Sequence, residues 1–165
     1  MADITNVKLG VCSVTFGSDL GHTKGGVVVT YSPEYHDITV DKYGNTVVEK
    51  VLIGEKLTAK VPLAESTLAN LIIAMPTSAD NTDYITVGQD AGELMAQHAA
   101  ELVLHPIANT GDLSEDVVFY SAINTGEVVL NYTFDGERVV EVTFEALLDE
   151  DKSTGNYIGL FGDSS

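Results

Sequence analysis

Four histidines, at positions 22, 36, 98 and 105, are the side chains best suited to hold a metal or to move a proton near neutral pH, and none stands three or four residues from another. Metal ligation would need them to converge from separate elements, so scattered surface or capping roles are expected. The single cysteine, Cys12, has no partner for an internal disulfide, which fits a reducing compartment. As a nucleophile it would need a histidine that only the fold could bring to it. Gly21-His22-Thr23-Lys24 has the flavour of a phosphate loop. Such a loop puts Gly-Lys-Ser/Thr after a strand and at the start of a helix; here Thr-Lys-Gly-Gly leads into strand residues instead. Neither a Gly-x-Ser-x-Gly elbow nor a calcium loop occurs, and Asp149-Glu150-Asp151 reads as a solvated turn. The 25 carboxylates offer many chance pairs and single out none. Nothing argues for an enzyme, a metal or a cofactor.

The elements that would position any site are mostly strands. Residues 1–26 end in a glycine-rich stretch, Gly17 to Gly26, and are expected to form a mobile arm or loop ahead of a single domain spanning 27–165. Val27-Val28-Val29-Thr30-Tyr31 is a strand, Ser32-Pro33 a turn, and Ile38 to Asp41 a second strand that Tyr43-Gly44-Asn45 interrupts. In the long run from Thr46 to Val61, Leu57, Ala59 and Val61 alternate with Lys56, Thr58 and Lys60, giving one apolar and one basic face. Gly54 marks a bulge or bend. The period then changes: Ala64, Leu68, Leu71, Ile72 and Met75 form one helical stripe, predicting a helix over 63–75 that ends at Pro76. A weak strand follows at 84–87. Residues 93–105 are either a helix or, from Ala100, a strand stopped by Pro106. Val117 to Ile123 is a strand. Val128, Leu130, Tyr132 and Phe134, then Val140, Val142, Phe144 and Ala146, predict a hairpin closed by a bulged three-residue loop with Gly136 left-handed. Its other face, bearing Glu127, Asn131, Thr133, Glu141, Thr143 and Glu145, should meet water.

With 165 residues the chain can bury roughly 68–70% of its unfolded surface in one core. At 44% hydrophobic it is too apolar for an acidic disordered chain. No apolar run approaches the ~18 residues of a membrane span, and the N-terminus lacks the pattern of an export signal, so a soluble cytoplasmic product is expected. The net charge is −17, and it is lopsided. Residues 1–60 carry six of the eight basic residues and seven acids, whereas residues 61–165 carry only Arg138 and Lys152 against eighteen acids. Tight nucleic-acid binding is disfavoured, because Lys and Arg must supply the counterion release that drives it. An acidic sheet face without a site, next to the nearly charge-balanced region 27–61, points to an assembly protein.

The order of segments is also informative. GHTKGGVVVTYSPEYHDITVDKYGNTVVEKVLIGEKLTAKVPLAESTLANL, then GELMAQHAAELVLHP, then VLNYTFDGERVVEVTFEALLD and a final YIGLFGD resembles the major tail tube proteins of long-tailed bacteriophages over about residues 20–163. The resemblance implies a mainly β (α+β) fold: a β-sandwich or barrel with one flanking α-helix, its strands joining those of neighbours into a continuous ring-shaped barrel. It implies self-association into hexameric rings stacked as a hollow tube, in a virion tail made in the host bacterial cytoplasm. The implied partners are the tape measure and the tail terminator or tip proteins, with viral DNA passing through unbound, no membrane insertion and no cofactor. The helix at 63–75 would lie outside the wall, and regions 27–61 and 127–146 would line the lumen.

On that reading Glu127, Glu141 and Glu145 are the lumen candidates, since a conduit for DNA must not hold phosphate. Lys50, Lys56 and Lys60 oppose the idea if they share that face, unless they pair with carboxylates across strands. Pro33, Tyr35, His36 and Tyr43, taken as one loop, are the inter-ring contact candidates, together with the arm before Gly26. The rival readings are a tail terminator or secretion-system ring protein, and a monomeric β-sandwich module for a small ligand, for which the absence of Trp leaves few stacking platforms.

Overall fold

The alternation read at residues 57–61 is the backbone of the core. In the structure, a computed structural model describing residues 10–108 and 111–163, Leu57, Ala59, Val61 and Leu63 are all buried, while Lys56 and Lys60 point to solvent. They belong to β4 (Val47–Leu63), the longest of the strands that follow β1 (Cys12–Phe16), β2 (Ser18–Asp19) and β3 (Val28–Thr39). After β4 come α1 (Leu68–Ala74), β5 (Ala79–Asp80), β6 (Ile85–Thr86), β7 (Ala100–Pro106), β8 (Val117–Asn124), β9 (Val140–Ala146) and β10 (Gly159–Phe161). Short 3-10 turns lie at Asp41–Tyr43 and Met95–His98. All described pairings are antiparallel. The main sheet runs β2-β1-β7-β8-β9-β4-β3, with β10 on β8, and β5–β6 form a separate ribbon.

This sheet curls around its own core. Phe16 of β1 and Phe144 of β9 meet across it with ring centroids 4.8 Å apart. The segment after β2 returns to β4 through one bridge, Thr23 with Leu63, and the Lys24 N–H donates to the Pro62 carbonyl at 3.0 Å. The expected sandwich or barrel is thus a single curled sheet that does not close into a barrel. Val14, Leu102, Leu104, Phe119, Val140, Val142 and Phe144 fill the inside, all buried.

Several expectations change. Residues 1–9 lie outside the described residues, but Cys12–Phe16 is no arm: Cys12, Val14 and Phe16 face the core at period two, and β1 pairs with β7 over five residues. Among the described residues before β3, the longest non-strand stretch covers residues 20–27 and is broken by the single bridge at Thr23. Ser32-Pro33 is not a turn, because β3 passes straight through it; β3 is the outermost strand, where a proline's missing donor costs the ladder nothing. The turn comes at Val40–Thr46, with Gly44 at φ 61°. The expected bulge is present beside Gly54: Glu34 pairs with Gly54 and Tyr35 with Leu52, leaving Ile53 unpaired.

The helix is shorter than 63–75. Leu63 completes β4, the Ala64 N–H is taken by the His22 carbonyl at 2.8 Å, and Thr67 caps the first turn by accepting from the Asn70 N–H at 3.2 Å. Its buried side is Asn70 and Ala74 with Leu71 and Ile73, whereas Leu68 is 42% exposed. The segment 93–105 resolves as a 3-10 turn followed by a strand from Ala100.

The predicted hairpin at 127–146 loses its first strand. β9 is as expected, with Val140, Val142 and Phe144 buried, but its neighbours are β4 and β8, and residues 125–139 form an irregular excursion between β8 and β9. Asn124 ends the ladder. Its Oδ1 accepts the Gly126 N–H at 3.0 Å and the Thr143 N–H at 3.2 Å, replacing the backbone carbonyl that a continuing strand would offer. Val128 and Leu130 still lean on the core, and Gly136 is not left-handed.

Candidate self-assembly surfaces

The chemistry-bearing residues do not converge. His98 Nε2 lies 2.8 Å from Glu93 Oε1 and His105 Nδ1 lies 2.6 Å from Asp116 Oδ1. The second pair has the geometry of a catalytic dyad, but the nearby Ser13 hydroxyl donates to the backbone carbonyl of His105 at 3.3 Å and not to the ring. The pair instead ties β7 to the turn before β8. His22 and His36 stand apart from it, and among the described residues no three His, Cys, Asp or Glu side chains are close enough to share a metal. Burial pushes the Cys12 thiol up, away from the thiolate form a nucleophile needs.

The outstanding surface is a ribbon formed by β3 and β4 beyond Leu57. None of the residues 32–56 is buried, and among the described residues β3 pairs with β4 alone. At about 3.3 Å per residue the ribbon extends roughly 25 Å from the domain. Both its faces carry apolar side chains in water: Tyr35, Ile38, Val48, Val51, Leu52 and Ile53, the last 65% exposed. Strand residues of this type are ordinarily selected by packing, and here no described residue of the chain packs over them. All four inter-ring candidates fall on this ribbon, but not in one loop. Pro33 and Tyr35 share a face, His36 lies on the opposite one, and Tyr43 sits in the tip.

The lumen candidates separate. Glu141 and Glu145 share the outward face of β9, whereas Glu127 lies in the irregular excursion and on no sheet face. Lys60 Nζ reaches Glu141 Oε2 at 3.0 Å and Lys56 Nζ reaches Glu145 Oε2 at 3.1 Å, each diagonally across the β4–β9 register. Lys50 pairs with Asp37 farther out on the ribbon. The face read as acidic is therefore a balanced ladder, with lysines from β4 and glutamates from β9. Each exposed pair contributes about 0.2–1 kcal/mol, and its larger consequence is to occupy the lysines.

Where the ribbon leaves the domain, a cleft of about 420 Å³ opens between Leu57 and the C-terminal residues Leu148, Tyr157, Ile158 and Phe161. At its edge the Tyr31 hydroxyl donates to Glu55 Oε1 at 2.6 Å. That hydrogen bond to a carboxylate pushes the phenol from its ordinary 10.0 up to about 12. Because the folded value is raised, the bond's contribution is complete below pH 10 and disappears as pH climbs through 12. A phenolate absorbance titration should show one late tyrosine, and Glu55→Gln should return it toward 10; an unchanged titration in that variant would rule out the bond as the cause.

Neither the cleft nor the 125–139 excursion is legible in the local pattern of residues. The apolar Tyr157–Phe161 run is the available signal: its last three residues form β10, so close to β8 that a Cβ on Gly159 would stand 2.5 Å from the Val118 carbonyl. No helix among the described residues is long and apolar enough to cross a membrane. No protein-family model matches the chain, and a search of curated proteins finds no match either.

Proposed function

We propose that this chain is the structural subunit of a bacteriophage tail tube, whose copies join side by side into rings and stack into a conduit for viral DNA. The observation that carries the reading is the β3–β4 ribbon, with exposed apolar side chains on both faces and no cover among the described residues. A lone two-stranded ribbon is marginal in water, so one rich in Val, Ile, Leu and Tyr is built to lie against a neighbour. The outer edge of β3 adds an unpaired strand of twelve residues, which lateral joining of copies into a continuous wall would satisfy. The segment order resembling tail tube proteins supplies the rest of the reading: six copies per ring, stacked rings, tape measure and terminator or tip proteins as partners, and a place in the virion tail.

The charge ladder changes how such a bore would work. If the outward β4–β9 face lines it, Lys56 and Lys60 already hold Glu145 and Glu141, and a phosphate could take a lysine only by separating that pair. Passing DNA then meets a balanced polar wall instead of a continuous acidic one.

Six copies bring a formal charge of roughly −100 into one ring, so assembly should be promoted by salt, which screens beyond about 8–10 Å near physiological ionic strength. Light scattering and negative-stain microscopy of the full chain test this directly. Hollow tubes whose growth quickens with salt are expected; a chain that stays monomeric at high concentration overturns the proposal, and single rings that never stack favour a terminator. The cleft beside Tyr31 and Tyr157 is the feature that favours the other rival, a monomeric module for a small ligand.

A further inference from the structure

The 125–139 excursion carries two aromatic side chains that stand out into solvent. Phe134 is fully exposed and Tyr132 is 77% exposed, while Val128 and Leu130 in the same segment lean on the core and hold its base. Asn124 anchors one end of the segment, and near its other end Glu137 pairs with Lys24 at the surface. Arg138 stacks over the Tyr132 ring, 5.0 Å from its centroid, and forms no ion pair among the described residues. The result is a supported aromatic knob with a cation at its base.

The cleft is its counterpart in size and charge. Its apolar wall of Leu57, Leu148, Ile158 and Phe161 encloses about 420 Å³, room for one or two aromatic rings. Glu55 places a carboxylate at the edge, and Lys152, stacked over Tyr120 at 4.3 Å, sits in the turn that leads into Tyr157. Residues 61–165 contain two basic side chains, Arg138 and Lys152. One of them, Arg138, stands on the knob, stacked on Tyr132, and Glu55 stands at the edge of the cleft. Docking would bring Arg138 toward Glu55, opposite charges on a chain whose net charge of −17 otherwise repels its copies.

A chain cannot fill its own cleft. The knob adjoins the Val140 end of β9 and the cleft adjoins the Leu148 end, roughly 20 Å away along the strand. The geometry points to a second copy of this chain as the occupant: Phe134 and Tyr132 of one subunit enter the cleft of the next, end to end along the strand axis. This joint is heterologous, knob to cleft, so where its rotation does not close a ring it repeats into an open stack. It rests on the self-assembly reading and assigns the contact that runs along the tube, leaving the side-by-side contact to the edge of β3.

Two surface variants test it, read by sedimentation velocity on the full chain. Phe134→Ser removes the knob and Leu148→Glu closes the cleft; both sites are exposed, so folding should be unaffected, as near-ultraviolet circular dichroism would verify. Each alone should raise the concentration needed for tube growth by roughly 30-fold or more, the effect of losing a buried aromatic anchor. Mixed together, the two retain one intact knob and one intact cleft, and should form a 1:1 pair across that joint that adds no further copies along the axis. Variants that each grow tubes like the wild type would overturn this joint while the tube reading stands. A mixture with no pairing beyond that of either variant alone would also overturn it. A wild-type chain that never associates would instead remove the parent reading.

Discussion

Replacing Glu34–Gly54 by Asn-Gly is expected to abolish tube formation while leaving a folded monomer. The cut removes the ribbon between Pro33 and Glu55, which face each other in the register, so a two-residue turn can join them without shifting β3 or β4 at the core. Nothing buried is lost: the core residues of β4 begin at Leu57, and the Tyr31–Glu55 hydrogen bond and the cleft remain. The variant gives up Tyr35, Ile38, Val48, Val51, Leu52 and Ile53, all solvent-exposed in the lone subunit. If about 100 Å² of each were covered by a neighbour, the loss at ~25 cal/mol per Å² would approach 15 kcal/mol of gross contact energy. Association costs and imperfect packing consume a large part of that, but the remainder decides whether subunits meet at micromolar concentration. Thermal melting should stay within a few degrees of the wild type, and scattering should stay flat at every salt concentration. Normal tubes from this variant would remove the ribbon from the assembly and, with it, the main support for the proposed function.

What could be read from the chain was whatever a strand or helix declares locally. Leu57, Ala59 and Val61 of β4 and Val140, Val142 and Phe144 of β9 alternate so regularly that their inward faces were unambiguous, and Gly54 marked the bulge. Pro33 misled because a turn is its usual role, and only the sheet order, which makes β3 an edge, frees it from that role. Cys12, Val14 and Phe16 alternate just as clearly, but the glycines from Gly17 onward are the stronger local signal, and only the pairing of β1 with β7 shows the strand. The charge ladder shows the limit best: Lys56, Lys60, Glu141 and Glu145 were each identified, but their neutralisation depends on which strand lies beside β4 and in which register. That is long-range information, set when β9 inserts between β4 and β8.

The same limit explains Asn124, which drew no notice in the sequence and which should be the most costly polar side chain to remove. It is buried at the end of β8, where its Nδ2 donates to the Ala74 carbonyl at the end of α1 and its Oδ1 accepts the Gly126 and Thr143 N–H groups. One amide therefore closes the helix, ends the β8–β9 ladder and starts the excursion that carries Tyr132 and Phe134. Asn124→Ala would orphan a carbonyl and two N–H groups, and even with water entering to recover some of them the cost should be about 2–4 kcal/mol. For a chain of this size that is a fall in melting temperature of about 10 °C. Asn124→Asp keeps the acceptor for both N–H groups and loses the donor to Ala74, so it should lie between the two. Hydrogen exchange discriminates further. In Asn124→Ala the Gly126 and Thr143 amides should lose protection before the rest of β9, because the excursion frays from its anchored end, and tube growth should weaken in step as the knob loses its support. Uniform loss of protection across β9, with assembly per folded subunit unchanged, would mean that Asn124 stabilises the fold without positioning the segment it begins.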